Sequence, residues 1–172
     1  MATGIGTAGL ILAAFPLVIS ALEHYENGFQ VIREWVRLRG EFAAFLNALI
    51  RQRIFFRQNI EELLGPIVAT EYDMSILLDR PGGKAWADET LNAKLRQRLP
   101  GKYEYESYAT TVSYIKETVH KLMDKLKIVE DRPLWIEHAS SSGRLKLEYE
   151  LKRITYTLSR RRRDRLMGQL ER

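Results

Sequence analysis

The sequence predicts an all-α fold, an antiparallel helical bundle that takes up residues 1–172 as a single domain. Three observations carry that expectation. Apolar residues recur at helical spacing over long stretches, no segment alternates as a strand, and the breakers Asp79-Arg80-Pro81-Gly82-Gly83 and Pro100-Gly101 fall between the periodic segments. The expected parts are an apolar N-terminal helix, three longer helices and short connecting helices.

The first element is set apart by composition. Met1 to Leu22 contain no Asp, Glu, Lys or Arg, and the chain becomes densely charged from Glu23 onward. A helix of this length reaches roughly 33 Å, against a hydrocarbon core of about 30 Å. Three readings compete for the segment. A secretory signal peptide needs a basic n-region, and no basic side chain precedes Glu23, although Val18 and Ser20 would suit a signal peptidase. A constitutive membrane span is opposed by Gly4, Gly6, Gly9 and Pro16, by the hydroxyls of Thr3, Thr7 and Ser20, and by the lack of basic flanks to set orientation. The third reading, an apolar helix buried in the bundle at rest and able to leave it, is the one we adopt.

Gly4-Ile5-Gly6-Thr7-Ala8-Gly9 matches the dinucleotide pattern G-x-G-x-x-G letter for letter, but the context fails. That motif requires a strand before it, and the sequence after it is patterned as helix. Close packing explains the glycines better. Gly4 with Ala8, and Gly9 with Ala13, are small pairs four residues apart that let another backbone approach, within one chain or between chains in a membrane.

Phe29, Ile32, Val36, Phe42, Leu46, Leu49, Ile50, Ile60, Leu63, Leu64 and Ile67 then recur on one helical face. They predict one long helix from about Phe29 to Ala69, or two divided near Gly40. Pro66 lacks an amide donor and cuts or kinks it, so regular helix ends between there and Asp73. A short piece at Asp73 to Leu78 leads into the Pro-Gly-Gly breaker. Asp88 reads as the N-cap of a helix containing Leu91, Leu95 and Leu99, and Pro100-Gly101 stops it. Tyr108, Val112, Ile115, Val119, Leu122 and Leu126 mark the third long helix, from about Tyr105 to Lys127. Asp131 to Gly143 reads as a loop, and Leu147, Leu151, Ile154 and Leu158 mark a last helix that runs into an arginine cluster.

That cluster holds the excess charge. Residues 1–143 carry 17 basic and 18 acidic side chains, a net of −1, whereas residues 144–172 carry 10 basic and 4 acidic, a net of +6. Arg160, Arg161, Arg162, Arg163 and Arg165 have three readings: a solvated helix end, a contact for anionic lipid, or a nucleic-acid or nuclear-import patch. Nucleic acid is the least favoured partner. Around Tyr103, Tyr105 and Tyr108 the interleaved positions hold Glu104 and Glu106 rather than the basic residues that base stacking wants, so these rings read as a helix start packed on the bundle. Trp35, Trp86 and Trp135 read as core or rim packing.

The chain has no cysteine, which removes disulfides, thiol catalysis and cysteine-ligated zinc, and suits a reducing, cytoplasmic setting. His24, His120 and His138 stand in separate segments without ligand spacing, so no metal is expected. No Walker lysine motif, G-x-S-x-G elbow or paired-carboxylate motif occurs, and we expect no enzyme and no cofactor.

The opening Gly4-Ile5-Gly6-Thr7-Ala8-Gly9-Leu10-Ile11-Leu12-Ala13-Ala14-Phe15-Pro16-Leu17-Val18-Ile19-Ser20-Ala21-Leu22-Glu23-His24-Tyr25 resembles the start of fungal HeLo-like N-terminal domains related to prion-inhibition and propagation proteins. Phe56-Arg57-Gln58-Asn59-Ile60-Glu61-Glu62-Leu63-Leu64 and Leu158-Ser159-Arg160-Arg161-Arg162-Arg163-Asp164-Arg165-Leu166 resemble the same group, so the similarity covers nearly the whole chain. The resemblance implies a helical bundle whose relatives include membrane-targeting executioners of regulated cell death in fungal non-self recognition. Analogues are the four-helix bundle of mixed-lineage kinase-like proteins and plant coiled-coil immune domains. Members often precede a larger C-terminal region, so a C-terminal or separate regulatory domain is an expected partner. No glycine-rich prion-forming tail is seen, and amyloid templating is not expected.

The combined expectation is a domain that disrupts membranes. Its inserting residues are Gly4, Ile5, Gly6, Gly9, Leu10, Ile11, Leu12, Phe15, Leu17, Val18 and Ile19. The five arginines contact anionic lipid, and the chains form homo-oligomers on activation as they move from the cytoplasm to a membrane. Replacing Leu12 by Glu is expected to abolish permeabilisation, whereas a buried-core role alone predicts unfolding instead. The alternative is a soluble oligomerisation or interaction module without membrane activity.

Overall fold

Apolar stripes at three- and four-residue spacing decide where this chain is helical. The computed structural model describes residues 4–30, 33, 35–101, 103–126, 128–129, 132–133, 149–154, 156 and 160–170. The chain is an all-α helical bundle. Its elements are α1 (Gly4–Phe29), α2 (Trp35–Leu64), α3 (Glu71–Asp79), a 3-10 turn (Lys84–Ala87), α4 (Glu89–Arg98), α5 (Glu104–Leu126), helical residues 149–154, and α6 (Arg160–Leu170).

α1 runs past Leu22 to Phe29, farther than its uncharged stretch. Tyr25 and Phe29 continue the buried face of Leu22 at spacings of three and four, while Glu23 and Asn27 face solvent. α2 therefore begins at Trp35 instead of Phe29, and Val36, expected on the buried face, is exposed because Trp35 takes that place. Gly40 does not divide α2, since a helix interior tolerates a lone glycine at modest cost. The helix does stop before Pro66, which has no N–H to give the Glu62 carbonyl, and the Gly65 and Val68 amides close the end on Glu61 and Leu64.

Caps set the short helices. At α3 the Thr70 Oγ1 accepts from the Asp73 amide at 3.1 Å and its hydroxyl donates to Asp73 Oδ2 at 2.8 Å. At α4 Asp88 is the N-cap, and its Oδ1 accepts from the amide and hydroxyl of Thr90 at 2.8 and 2.7 Å. Those hydrogen bonds hold the Asp88 carboxyl below its ordinary pKa. Along α5 the stripe Val112, Ile115, Val119, Leu122 and Leu126 is buried throughout.

One expectation is corrected. Ile128–Val129 pairs antiparallel with Arg132–Pro133, Ile128 opposite Pro133 and Val129 opposite Arg132. Two residues per strand are too few to show a period of two, so the pairing leaves no pattern in the sequence. The rest of the expected loop, with Trp135 and His138, and the expected helical positions Leu147 and Leu158 lie outside the described residues.

The chain divides into two compact units, Met1–Phe15 with Arg53–Val119, and Pro16–Gln52 with His120–Arg172. The first has a core of Ile5, Ile11, Phe15, Ile60, Leu64, Leu77, Trp86, Leu95, Val112 and Val119. The second buries Val18, Leu22, Tyr25, Phe29, Trp35, Phe42, Phe45, Leu122, Leu126, Ile154 and Leu166. An aromatic chain runs through the second core, with ring centroids 5.6 Å apart for Tyr25 and Phe29, 5.4 Å for Phe29 and Trp35, and 5.0 Å for Trp35 and Phe42. The Trp35 Nε1 is, among the described residues, the one buried side-chain polar atom without a hydrogen-bond partner.

Polar groups in the second unit close the end of α5. The Tyr25 hydroxyl donates to the Leu126 carbonyl at 3.1 Å. Arg153 donates through Nη1 to the Lys125 carbonyl, through Nη2 to the Tyr25 hydroxyl at 3.0 Å, and through Nε to Glu150 Oε2 at 2.8 Å. Two side chains thus satisfy carbonyls that a helix end leaves without intrahelical donors.

Candidate functional site

α1 is the one helix among the described residues long and apolar enough to cross a membrane, and 67% of its most apolar 18-residue window is buried inside the fold. The expected inserting residues divide between the two units. In the first, Gly4, Ile5, Gly9, Ile11, Leu12 and Phe15 are buried and Gly6 is half-buried, whereas Leu10 is 40% exposed. In the second, Val18 and Ile19 are buried and Leu17 is half-buried. A helix apolar on every side is stable only when covered on nearly every side. Pro16 stands inside this helix, and its ring nitrogen leaves the Leu12 carbonyl without the donor a helix would supply.

The small residues of α1 do admit close neighbours, but the neighbours are not another helix backbone. A Cβ on Gly4 would stand 3.0 Å from Tyr108 Cε1 and 3.4 Å from the Tyr105 hydroxyl. A Cβ on Gly9 would stand 2.5 Å from Trp86 Cδ2 and 2.7 Å from its Cγ. Gly4 to Gly9 lie inside α1, so the letter-perfect dinucleotide pattern belongs to a helix and not to a strand-to-helix turn.

Two tyrosines of α5 stand against the start of the segment. The Tyr108 hydroxyl donates to the Gly4 carbonyl at 3.5 Å. Burial first, and the neighbouring Tyr105 second, push its pKa well above the ordinary tyrosine value of 10. The Tyr105 hydroxyl donates to Asn92 Oδ1 at 2.9 Å, and the Arg96 guanidinium lies 4.8 Å over its ring. Tyr103, expected to pack with them, is exposed instead. Farther along, the Phe15 ring tilts against Phe56 at 6.2 Å.

The basic helix α6 presents Arg161, Arg162 and Arg165 to solvent and turns Leu166 and Leu170 inward. Arg162 lies 4.3 Å over the Tyr156 ring and donates to the Tyr156 hydroxyl at 3.2 Å. The side chains of Arg160 and Arg163 lie outside the described residues. Among the described residues no group of three His, Cys, Asp or Glu side chains could hold a metal ion.

Sequence reasoning missed Tyr25, Trp86, Tyr108 and Arg153 as partners of α1 or of its neighbours. Trp86 had a local signal in the Pro81-Gly82-Gly83 turn that precedes it. The others had none, because their partners lie about a hundred residues away. No family model matches this chain, and no curated protein or solved structure matches it.

Proposed function

We propose that this chain is a non-enzymatic, membrane-disrupting helical domain of the HeLo-like kind, acting in regulated cell death of the fungal non-self type. α1 is stowed at rest, then released and inserted into a membrane as chains oligomerise. The observation that carries the reading is a 26-residue helix, uncharged through Leu22, whose length and composition suit a bilayer and which the fold covers instead. The resemblance of its opening to HeLo-like domains supports the same reading.

The energetics require a destination for the helix. Exposing Ile5, Ile11, Leu12, Phe15, Val18, Ile19 and Leu22 to water costs about 10–20 kcal/mol, at about 1.5–3 kcal/mol for each large apolar side chain. That is as large as the whole stability of a typical domain, about 5–15 kcal/mol. Moving from the fold into hydrocarbon exchanges one apolar setting for another and avoids the cost. Exposed Arg161, Arg162 and Arg165 each add about 1 kcal/mol near an anionic surface.

A second reading, a soluble interaction module, draws on the burial of α1 and on Ile54 and Phe55, which stand exposed side by side on α2. Dye release from neutral and anionic liposomes decides between them, comparing the full chain with one lacking residues 2–22, both checked for helicity by circular dichroism. Leakage that needs the segment and favours anionic vesicles is the expected result. Stable self-association of a folded chain with no effect on lipid overturns the proposal in favour of the module.

A further inference from the structure

Within the first unit, the 3-10 turn Lys84–Ala87 buries one of its four side chains. Trp86 is buried, 1% exposed, while Lys84, Ala85 and Ala87 on either side of it face solvent. Its indole covers the bare stretch of α1 at Gly9, so close that a single added methyl group would overlap the ring.

The sequence before the turn prepares this seat. The Leu77 carbonyl, near the end of α3, would take the amide of residue 81 if the helix continued, and residue 81 is proline. The Trp86 Nε1 supplies the missing donor, at 2.8 Å. Pro81 and Gly82 form the corner of a turn closed by the Gly83 amide on the Arg80 carbonyl at 3.0 Å, and Gly82 has the left-handed backbone, φ +77°, that such a corner demands of its third residue. That conformation lays the loop along α1: a Cβ on Gly82 would be 3.6 Å from both Ala13 Cβ and Leu10 Cδ2, and 3.7 Å from the Gly9 carbonyl oxygen. At the far end Asp88 donates its amide to the Ala85 carbonyl and caps α4, so the turn is anchored on both sides.

We propose that this turn is a latch on the inserting segment: Trp86 seated at Gly9, with Gly82 against Ala13, holds residues 4–15 in the fold, and withdrawal of that indole is the step that frees them. The proposal rests on the reading of α1 as a segment that leaves. An ordinary core tryptophan would stabilise the whole unit, whereas a latch controls one helix, and that difference can be measured.

The test is hydrogen exchange of the full chain in lipid-free buffer, followed by mass spectrometry, for the unsubstituted protein and Trp86→Ala. The latch requires exchange in residues 4–15 to rise about tenfold or more while residues 112–119 of the same unit change little, the mark of a local opening. An equal rise in both segments, or none in residues 4–15, overturns it. The second variant keeps Trp86. In Ala13→Cys/Gly82→Cys the two Cβ atoms would lie 3.6 Å apart, within the range of a disulfide, in a chain with no other cysteine. The oxidised form should protect residues 4–15 and release no dye from anionic liposomes, and reductant should restore both, the reduced form serving as control for any strain at position 82. An oxidised form that leaks as fast as the reduced one overturns the latch. Opening confined to residues 4–15 with no leakage from any form supports the latch and overturns the membrane reading.

Discussion

Arg153 Nη2 donates to the Tyr25 hydroxyl at 3.0 Å, joining positions 128 residues apart, and the same guanidinium pairs with Glu150, whose side chain is 8% exposed. Replacing Arg153 by Leu keeps volume but takes the cation from a buried carboxylate and a donor from the Lys125 carbonyl. The expected loss is about 3 kcal/mol in urea unfolding. Tyr25→Phe removes only a neutral hydrogen-bonding group and costs about 1 kcal/mol. The double variant should lose less than the sum, because the two residues share partners. Strict additivity would show that the network has no joint effect.

Three glycines inside helices predict opposite responses to alanine. At Gly40 of α2 and Gly168 of α6 an added Cβ meets nothing within 4 Å, so Gly40→Ala and Gly168→Ala should each stabilise by about 0.5–1 kcal/mol. At Gly9 the same change drives a methyl group into Trp86 and should cost about 1–3 kcal/mol despite its better helix propensity. Thermal unfolding followed by circular dichroism reads all three, and a stabilised Gly9→Ala protein contradicts the seating of Trp86.

The half-buried phenol of Tyr108 makes stability depend on alkaline pH. Its neutral form is favoured in the fold, so its folded pKa lies above the unfolded value of 10. The stabilisation is complete below pH 10 and is lost as pH rises beyond it, because the unfolded chain ionises first. Absorbance titration of the eight tyrosines should include a step that appears only as the fold opens. Tyr108→Phe should remove that step and flatten the alkaline loss, at a cost of about 0.5–1 kcal/mol near neutrality. A Tyr108 that titrates with the exposed tyrosines would count against its burial.

Leu10 separates insertion from folding where Leu12 cannot. Leu12 is 7% exposed, so Leu12→Glu unfolds the resting domain and its failure to permeabilise would be uninformative. Leu10 is 40% exposed, and Leu10→Glu should leave stability within about 0.5 kcal/mol. A carboxylate at the centre of a membrane helix costs about 2.5–3.5 kcal/mol. Dye release should therefore fall sharply for a folded protein. Undiminished release would show that this stretch does not enter the bilayer.

The parts of the fold legible in the sequence are those with local causes. The α5 stripe, the Asp88 cap, the stop before Pro66 and the breaker at Pro81-Gly82-Gly83 all follow from residues within a turn or two of one another. The end of α1 is not legible from charge, because Glu23 sits on the solvent side of a helix whose buried side continues through Tyr25 and Phe29. Gly9 shows the limit for the candidate site. Its need for a close neighbour was readable, but that the neighbour would be the indole of Trp86 depends on how a turn closes about 75 residues later, which spacing does not encode.

The long span between α1 and its partners also sets an order of events during synthesis. Gly4 is made 104 residues before Tyr108, and Tyr25 is made 128 residues before Arg153. At about 5–20 residues per second, Gly4 waits about 5–20 s, and Tyr25 slightly longer, for those partners to be translated. The apolar residues of α1 are thus made well before the side chains that cover them, and in that interval chaperones and nearby membranes compete for them with the unfinished fold.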